Sequence, residues 1–335
     1  MAKIQQHFTE FNGIIRLSND KKEKLQKSRK SIRSKINKYF SEKKSNELQP
    51  KYEGQGSFEM NTVINPIPVN DKDGNTILKY DLDDGVYFIE KDREDNKKSI
   101  DTWHSWVFNA VDDHTNSPTK DKTTCVRVVF ADGHHIDLPI YYEKDNKTEL
   151  AHKSKGWIES KPVEFTNWFN EKAKDNQQLR RIVRYLKAWK NFREFQNSNL
   201  NFPSGFALTI LAVNSFKPDT NDDKAFLETI EGINDTLNYH FQCLRPTTPK
   251  NEDIFIDFSE TRKKDFLNAL DNLLKDCKKA KSEKNIKKAT EYLIKHFGDR
   301  FPLGKDKDEE TSNNALFSAL SSTAIKPKPY SNGQY

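Results

Sequence analysis

Apolar residues recur along this 335-residue chain at two different spacings, and the change from one to the other divides it. Over residues 18 to 40, Leu25, Ile32, Ile36 and Phe40 lie on one helical face, and Ser18, Asn19 and Asp20 offer N-caps. That pattern predicts one long helix. Residues 52 to 145 read as β-rich. The run YDLDDGVYFIE (80 to 90) alternates, and CVRVVFADGHHIDLPIYY (125 to 142) reads as a hairpin around Asp132-Gly133, a favoured two-residue turn. In its second strand Ile136, Leu138 and Ile140 take one face and leave Asp137 on the other. From about residue 160 the spacing becomes helical. Leu179, Ile182, Val183, Leu186 and Trp189 recur at three- and four-residue steps. Residues 205 to 216 are apolar nearly all round and predict a buried central helix. Amphipathic stretches follow at 222 to 241, near 260 to 277 and at 283 to 297. Trp189 and Phe192 are assigned to the core. Gly304 to Tyr335 has no sustained period and is expected to be a flexible tail. The expected fold class is α/β (α+β), with a mixed sheet in residues 1–160 that also carries the long helix, a helical lobe in 161–303 and the tail in 304–335.

Composition adjusts this picture only slightly. Hydrophobic residues make up 34% and charged residues 32%, which is polar, but 22 Phe, 11 Tyr and 5 Trp suffice for a core. No apolar run approaches the roughly 20 residues of a membrane span. The opening MAKIQQHFTEF lacks the apolar stretch of a secretory signal. Cys125, Cys243 and Cys277 are too scattered for a disulfide framework or zinc cluster, so a reducing, cytoplasmic setting is expected. The net charge of +6 suits a protein that handles phosphates without demanding nucleic acid, and nucleic acid is not an expected partner. The polar face of the first long helix (Lys21, Lys22, Lys24, Lys27, Arg29, Lys30, Arg33, Lys35) is read as solvated rather than as a nucleic-acid contact.

The candidate chemistry lies in three acids. Asp81 and Asp83 sit two apart on a predicted strand, so both carboxylates point to one side. Such neighbours repel unless cations separate them. If the hairpin packs beside that strand, Asp137 joins them, and three oxygen ligands with open positions suit Mg²⁺. Upstream, Gly54-Gln55-Gly56-Ser57-Phe58 reads as a turn whose N–H groups and hydroxyl can approach phosphate oxygens. His134 and His135 are adjacent on a strand, point opposite ways, and are read as hairpin surface rather than as a metal site.

These segments, taken in order, resemble the bacterial cGAS/DncV-like nucleotidyltransferases, within the polymerase-β-like superfamily and closest to its cyclic GMP-AMP synthase branch. The resemblance rests on GQGSFEMNTVINP (54 to 66), YDLDDGVYF (80 to 88), CVRVVFADGHHIDLPIYY (125 to 142), GWIESKP (156 to 162), NWFN (167 to 170), RRIVRYLKAWKNF (180 to 192), FPSGFALTILAVN (202 to 214) and FGDRFP (297 to 302). It runs from about residue 15 to 303. It implies a polymerase-β-like nucleotidyltransferase lobe followed by a helical lobe. It also implies a synthase joining ATP and GTP, or other nucleoside triphosphates, into a cyclic dinucleotide for anti-phage signalling. Two Mg²⁺ ions, or Mn²⁺, would be held by Asp81, Asp83 and Asp137. Gln55, Gly56 and Ser57 would hold the donor triphosphate, Arg127 would contact a nucleotide, and Ser160 and Lys187 would contact triphosphate. Ser204 is carried over too, although the family often has a second serine where Gly205 stands. The loop 245 to 255 would help read the acceptor base. Some family members are attached to other molecules through their C-terminus by a conjugation machinery, a partner the tail could meet. The rival expectations are a template-independent transferase acting on RNA or protein, and an inactive nucleic-acid-binding member.

Overall fold

The computed structural model describes residues 2–70, 74–91 and 96–308. The chain begins with helices α1 (Gln5–Ile15) and α2 (Asn19–Lys43), then β1 (Pro50–Gln55), the single turn α3 (Gly56–Glu59) and the short pair β2 (Val69–Asn70) and β3 (Thr76–Ile77). β4 (Asp81–Ile89), α4 (Ile100–Val111), β5 (Lys120–Asp121), β6 (Cys125–Val129), β7 (His135–Lys144), β8 (Lys147–His152) and β9 (Gly156–Glu159) complete the strand-rich half. α5 (Pro162–Lys172), α6 (Gln178–Gln196), α7 (Gly205–Ser215), α8 (Asp222–Tyr239), α9 (Glu260–Ser282) and α10 (Ile286–Phe297) form the helical half. No helix among the described residues is long and apolar enough to cross a membrane.

The expected α/β class holds. The main sheet runs β1-β4-β7-β6-β5, with β8 and β9 continuing from β7. β4 and β7 are parallel and the other pairs antiparallel, so the sheet is mixed. Period two sorts its faces. Leu82, Val86, Phe88, Ile136, Leu138 and Ile140 pack in one core with Leu25, Ile32, Ile36 and Phe40 of α2 and with Trp103 and Val107 of α4. Asp84 points into this same core and is fully buried, held by the guanidinium fork of Arg33 from α2, with Nε 2.7 Å from Oδ2. Removing one partner of such a buried pair costs roughly 3–5 kcal/mol, so the two anchor α2 to the sheet.

Several expectations change here. The polar face of α2 is only partly solvated: Arg29 pairs with Glu59 at 2.7 Å and Lys22 with Asn61 at 2.7 Å, while Lys27 and Lys30 are exposed. α4 interrupts the stretch read as β-rich. Ser99 caps it, its Oγ accepting the Thr102 N–H at 3.2 Å, and Trp103, Val107, Ala110 and Val111 line its buried side. The hairpin turn has three residues, not two. Val129 pairs with His135, the Phe130 N–H donates to the His134 carbonyl at 2.9 Å, and Gly133 takes the left-handed conformation (φ 92°). This is the glycine-bulged hairpin loop. The two histidines do diverge, but neither is plain hairpin surface. His134 is buried, bonded to Ser28 Oγ at 3.0 Å and Asp132, with Phe130 stacked at 4.2 Å; the other histidine turns to the opposite face.

A second core fills the helical half, built on Leu186 and Trp189 of α6, Ile210 of α7, Phe226 of α8, Phe266 of α9 and Phe297 of α10. Phe8, Phe11 and Ile15 of α1 belong to this core, not to the sheet's. Tyr185 Oη donates to the Phe8 carbonyl at 3.0 Å and the Arg184 Nε to Asn12 Oδ1 at 3.0 Å. Residues expected to open the first lobe thus pack with the second, because their three large apolar side chains find partners there. The start of the expected tail also packs: the Gly304 N–H donates to Thr290 Oγ1 at 2.8 Å, and the Lys305 and Lys307 carbonyls accept from the first residues of α10. Residues 309–335 of that tail lie outside the described residues.

Candidate active site

A cavity of about 560 Å³ separates the two halves. One wall is the sheet face away from the α2 core. There Gln55 pairs with Asp83, Asp83 with Asp137, and Asp137 with Arg127, so four side chains form one row across β1, β4, β7 and β6. The next row pairs Asp81 with His135. Paired residues in a sheet share a face, so the backbone register alone gathers Asp81, Asp83 and Asp137. Of the three, Asp137 has a cation in place: Arg127 grips it with Nε and Nη2, each 2.6 Å from a carboxylate oxygen. Asp83 has no such partner among the described residues. Burial, with Asp81 and Asp137 beside it, holds its carboxyl well above the usual carboxylate range.

Gln55-Gly56-Ser57 joins β1 to α3 at the mouth of this row, and all three line the cavity. The Gln55 amide is engaged below, donating to Tyr141 Oη at 3.0 Å, which fixes the turn rather than leaving the side chain free. Gly56 has φ 71°, and a Cβ there would lie 2.5 Å from Asp83 Oδ2. Only glycine lets the turn come this close to the carboxylate.

The opposite wall is α6. Arg180, Arg184, Lys187 and Asn191 follow one helix face and meet successive groups of the strap that follows the turn. Arg180 donates to the Met60 carbonyl, Arg184 to the Asn61 carbonyl at 2.7 Å, Lys187 to Thr62 Oγ1 at 3.0 Å, and Asn191 Oδ1 accepts from the Ile67 N–H at 3.3 Å. Arg300 adds bonds to the Asn65 and Ala188 carbonyls at 3.3 and 3.0 Å. The strap in turn holds the turn, the Thr62 N–H donating to the Ser57 carbonyl at 2.9 Å. Lys187 lines the cavity, and burial pushes its ammonium down to about 8 despite Asp81 and Asp83 nearby.

The cavity therefore brings together Gln55, Gly56, Ser57, Asp81, Asp83 and Lys187, with Asp137 and Arg127 adjoining through the sheet. Ser160 and Ser204 are not among its lining residues. The Ser160 N–H donates to the Thr148 carbonyl at 3.0 Å, and Ser204 caps α7, its Oγ accepting from Ala207 at 3.2 Å. Sequence reasoning missed Tyr80, Lys190, Glu194, Phe165 and Phe206, all of which line the cavity. Two of them were within reach: Lys190 and Glu194 extend the Lys187 side of α6 by one and two turns. Of the loop 245 to 255, Arg245 reaches the cavity and lies 5.0 Å over the Phe206 ring.

The donor set fits divalent cations. Three carboxylates share one face, one of them enclosed and held well above the usual carboxylate range by burial and its like-charged neighbours, and ligand atoms of Asp81, His135 and Asp137 lie within 4.8 Å of one another. Cations between such groups remove the repulsion that raises Asp83.

Comparison with known proteins points the same way. The nucleotidyltransferase domain of the cyclic GMP-AMP synthase DncV-like family matches residues 50–141, and the C-terminal domain of cyclic GMP-AMP synthase matches residues 176–306. A cyclic GMP-AMP synthase of Escherichia albertii is 26% identical over 271 residues, which is 78% of this chain and 58% of that protein. The chain thus matches little more than half the length of that relative. The crystal structure of the Vibrio cholerae DncV cyclic AMP-GMP synthase with nonhydrolysable GTP superposes with a TM-score of 0.75 at 20% identity, covering 90% of this chain and 99% of that one. Its complex with the linear intermediate 5′ pppA(3′,5′)pG gives 0.71 at 21% identity, covering 90% and 98%. At these identities the structural likeness speaks for the fold. The two domain matches stand in family order, one on each side of the cavity, and the chain belongs to the DncV-like nucleotidyltransferase family.

Proposed function

We propose that this protein joins two nucleoside triphosphates into a cyclic dinucleotide, with adenine and guanine as its bases, and serves anti-phage signalling. The observation that carries the chemistry is the opposition of two walls: Asp81, Asp83 and Asp137 on one sheet face, and Lys187 across a cavity roomy enough for nucleotides. The bases are proposed from the relatives, a cyclic GMP-AMP synthase and a DncV structure in complex with ATP and GTP, rather than from a contact in this chain.

In this reading Asp81, Asp83 and Asp137 hold divalent ions, Mg²⁺ or Mn²⁺. The chemistry such ions supply is lowered pKa at the attacking ribose hydroxyl and neutralised charge on the leaving pyrophosphate. The protein's own groups do the rest. The Ser57 hydroxyl and N–H receive the donor's phosphates while the Gly56 N–H stays on Thr166 Oγ1, and Lys187 leaves Thr62 to pair with the triphosphate. Arg127 keeps Asp137 in place. The hydroxyl oxygen attacks the α-phosphorus in line, a phosphodiester forms, and the bond to pyrophosphate breaks. The linear product turns in the cavity, and its own hydroxyl attacks the remaining triphosphate, closing the ring and releasing a second pyrophosphate.

The test is incubation with all four labelled triphosphates and Mg²⁺ or Mn²⁺, then phosphatase and mass spectrometry. A phosphatase-resistant cyclic species with one adenine and one guanine is expected. A three-nucleotide or pyrimidine product would overturn the proposed bases. Label found on RNA or protein would favour the macromolecular transferase instead.

A further inference from the structure

The acidic cluster is not purely acidic. His135 stands two residues before Asp137 on β7, so period two puts it on the same face, and the parallel register sets it opposite Asp81. Its ring offers a nitrogen within 4.8 Å of ligand oxygens of both Asp81 and Asp137. The ring also lies near the Gly133 backbone, at the glycine-bulged end of the hairpin. Asp137, meanwhile, already shares both oxygens with Arg127, which reduces the charge it can give a cation.

We propose that His135 is a direct ligand of the divalent ion held by Asp81 and Asp137, and that it makes this site favour Mn²⁺ over Mg²⁺. Mg²⁺ is small and hard, keeps several waters and takes carboxylate and phosphate oxygens. Imidazole nitrogen suits transition metals better, and a site with one nitrogen and two carboxylates moves along that series. The neutral ring supplies a donor where Arg127 has drawn charge from Asp137. This proposal rests on the reading that the aspartates hold divalent ions, and the experiment separates the two.

The measurement is Mn²⁺ binding by the full chain, without nucleotide, followed by electron paramagnetic resonance. In pulsed spectra of the bound ion, a directly coordinated ¹⁴N coupling is expected, and its frequencies should change when histidine is labelled with ¹⁵N. His135→Gln should remove the coupling and weaken Mn²⁺ binding by at least about 10-fold, the least that losing even an outer partner of a metal ligand costs, while Mg²⁺ affinity changes far less. The ¹⁵N result on the unmodified protein stands even if that variant folds poorly. Bound Mn²⁺ with no nitrogen coupling, released equally by Asp81→Asn and Asp137→Asn, would overturn the histidine's role and keep the metal site. Absence of Mn²⁺ binding, or binding untouched by those aspartate variants, would overturn both.

Discussion

The two walls of the cavity carry opposite charge, and both carry it at a cost. On the sheet side, burial and like-charged neighbours raise Asp83 well above the carboxylate range. On the α6 side, burial lowers Lys187 to about 8. The walls do not simply neutralise one another across the cavity; the shift on each side remains. On the sheet wall Arg127 answers Asp137 alone, and on the helix wall Glu194 is the anion that lines the cavity beside Lys187 and Lys190. The difference lies in how each wall is built. Hydrogen-bonded register sets the carboxylates, whereas helix-to-loop packing sets the cations.

The comparison breaks most directly at the sheet. Asp81→Asn with Asp83→Asn should cut product formation by on the order of 10³ or more, since metal-type charge stabilisation is worth several kcal/mol. Circular dichroism should show the fold intact, with melting in metal-free buffer unchanged or slightly higher because a repulsion is gone. Undiminished turnover would sink the metal-site reading. Gly56→Ala comes next: its Cβ would collide with Asp83 Oδ2, and a misplacement of that scale costs about 10² in rate. Single-turnover rates with saturating triphosphate read it out.

The helix wall should fail differently. Lys187→Met removes a charged contact worth about 1.5–3 kcal/mol, so KM for triphosphate should rise about 10- to 100-fold with kcat little changed. The sign of the pH dependence follows from the lowered pKa. Above about pH 8 the free enzyme's Lys187 loses its charge, so the wild-type KM should climb between pH 7 and 9 while the variant's stays flat. A parallel climb in both would assign that titration elsewhere. The smallest effect on activity belongs to Arg184→Met. It removes bonds to the Asn61 carbonyl and Asn12 but no group lining the cavity, so roughly 1–3 kcal/mol of stability should be lost with KM changed less than about threefold.

The sheet wall was largely legible from sequence because period two is a local rule. Asp81-Leu82-Asp83 on a strand and Ile136-Asp137-Leu138 on a hairpin arm fix which face each carboxylate takes, and parallel pairing then aligns them. His135 followed from the same rule and was missed because the pair was weighed as two neighbours rather than with Asp137. The helix wall was legible only as a helix. Its apolar face could be read from Leu179 to Trp189, but the match of Arg180, Arg184 and Lys187 to the carbonyls and hydroxyl of residues 60 to 62 is tertiary, and no spacing announces it. Likewise nothing in Phe8, Phe11 and Ile15 says which of two cores they will join. Ser204 stands at the head of α7 and its oxygen caps the helix, a local use any helix start can make.

On the proposed function, the carboxylate wall is filled by cations before the cation wall holds a triphosphate. The direct measurement is the affinity for a nonhydrolysable nucleoside triphosphate by calorimetry, with saturating divalent ion and with chelator, for the wild type and for Asp81→Asn with Asp83→Asn. The wild type should bind at least about tenfold more weakly in chelator, as loss of one buried charge partner costs about 1.4 kcal/mol or more. The double variant should lose that dependence and bind better than the wild type when no metal is present. Equal wild-type affinity with and without divalent ion would contradict the complementarity of the two walls.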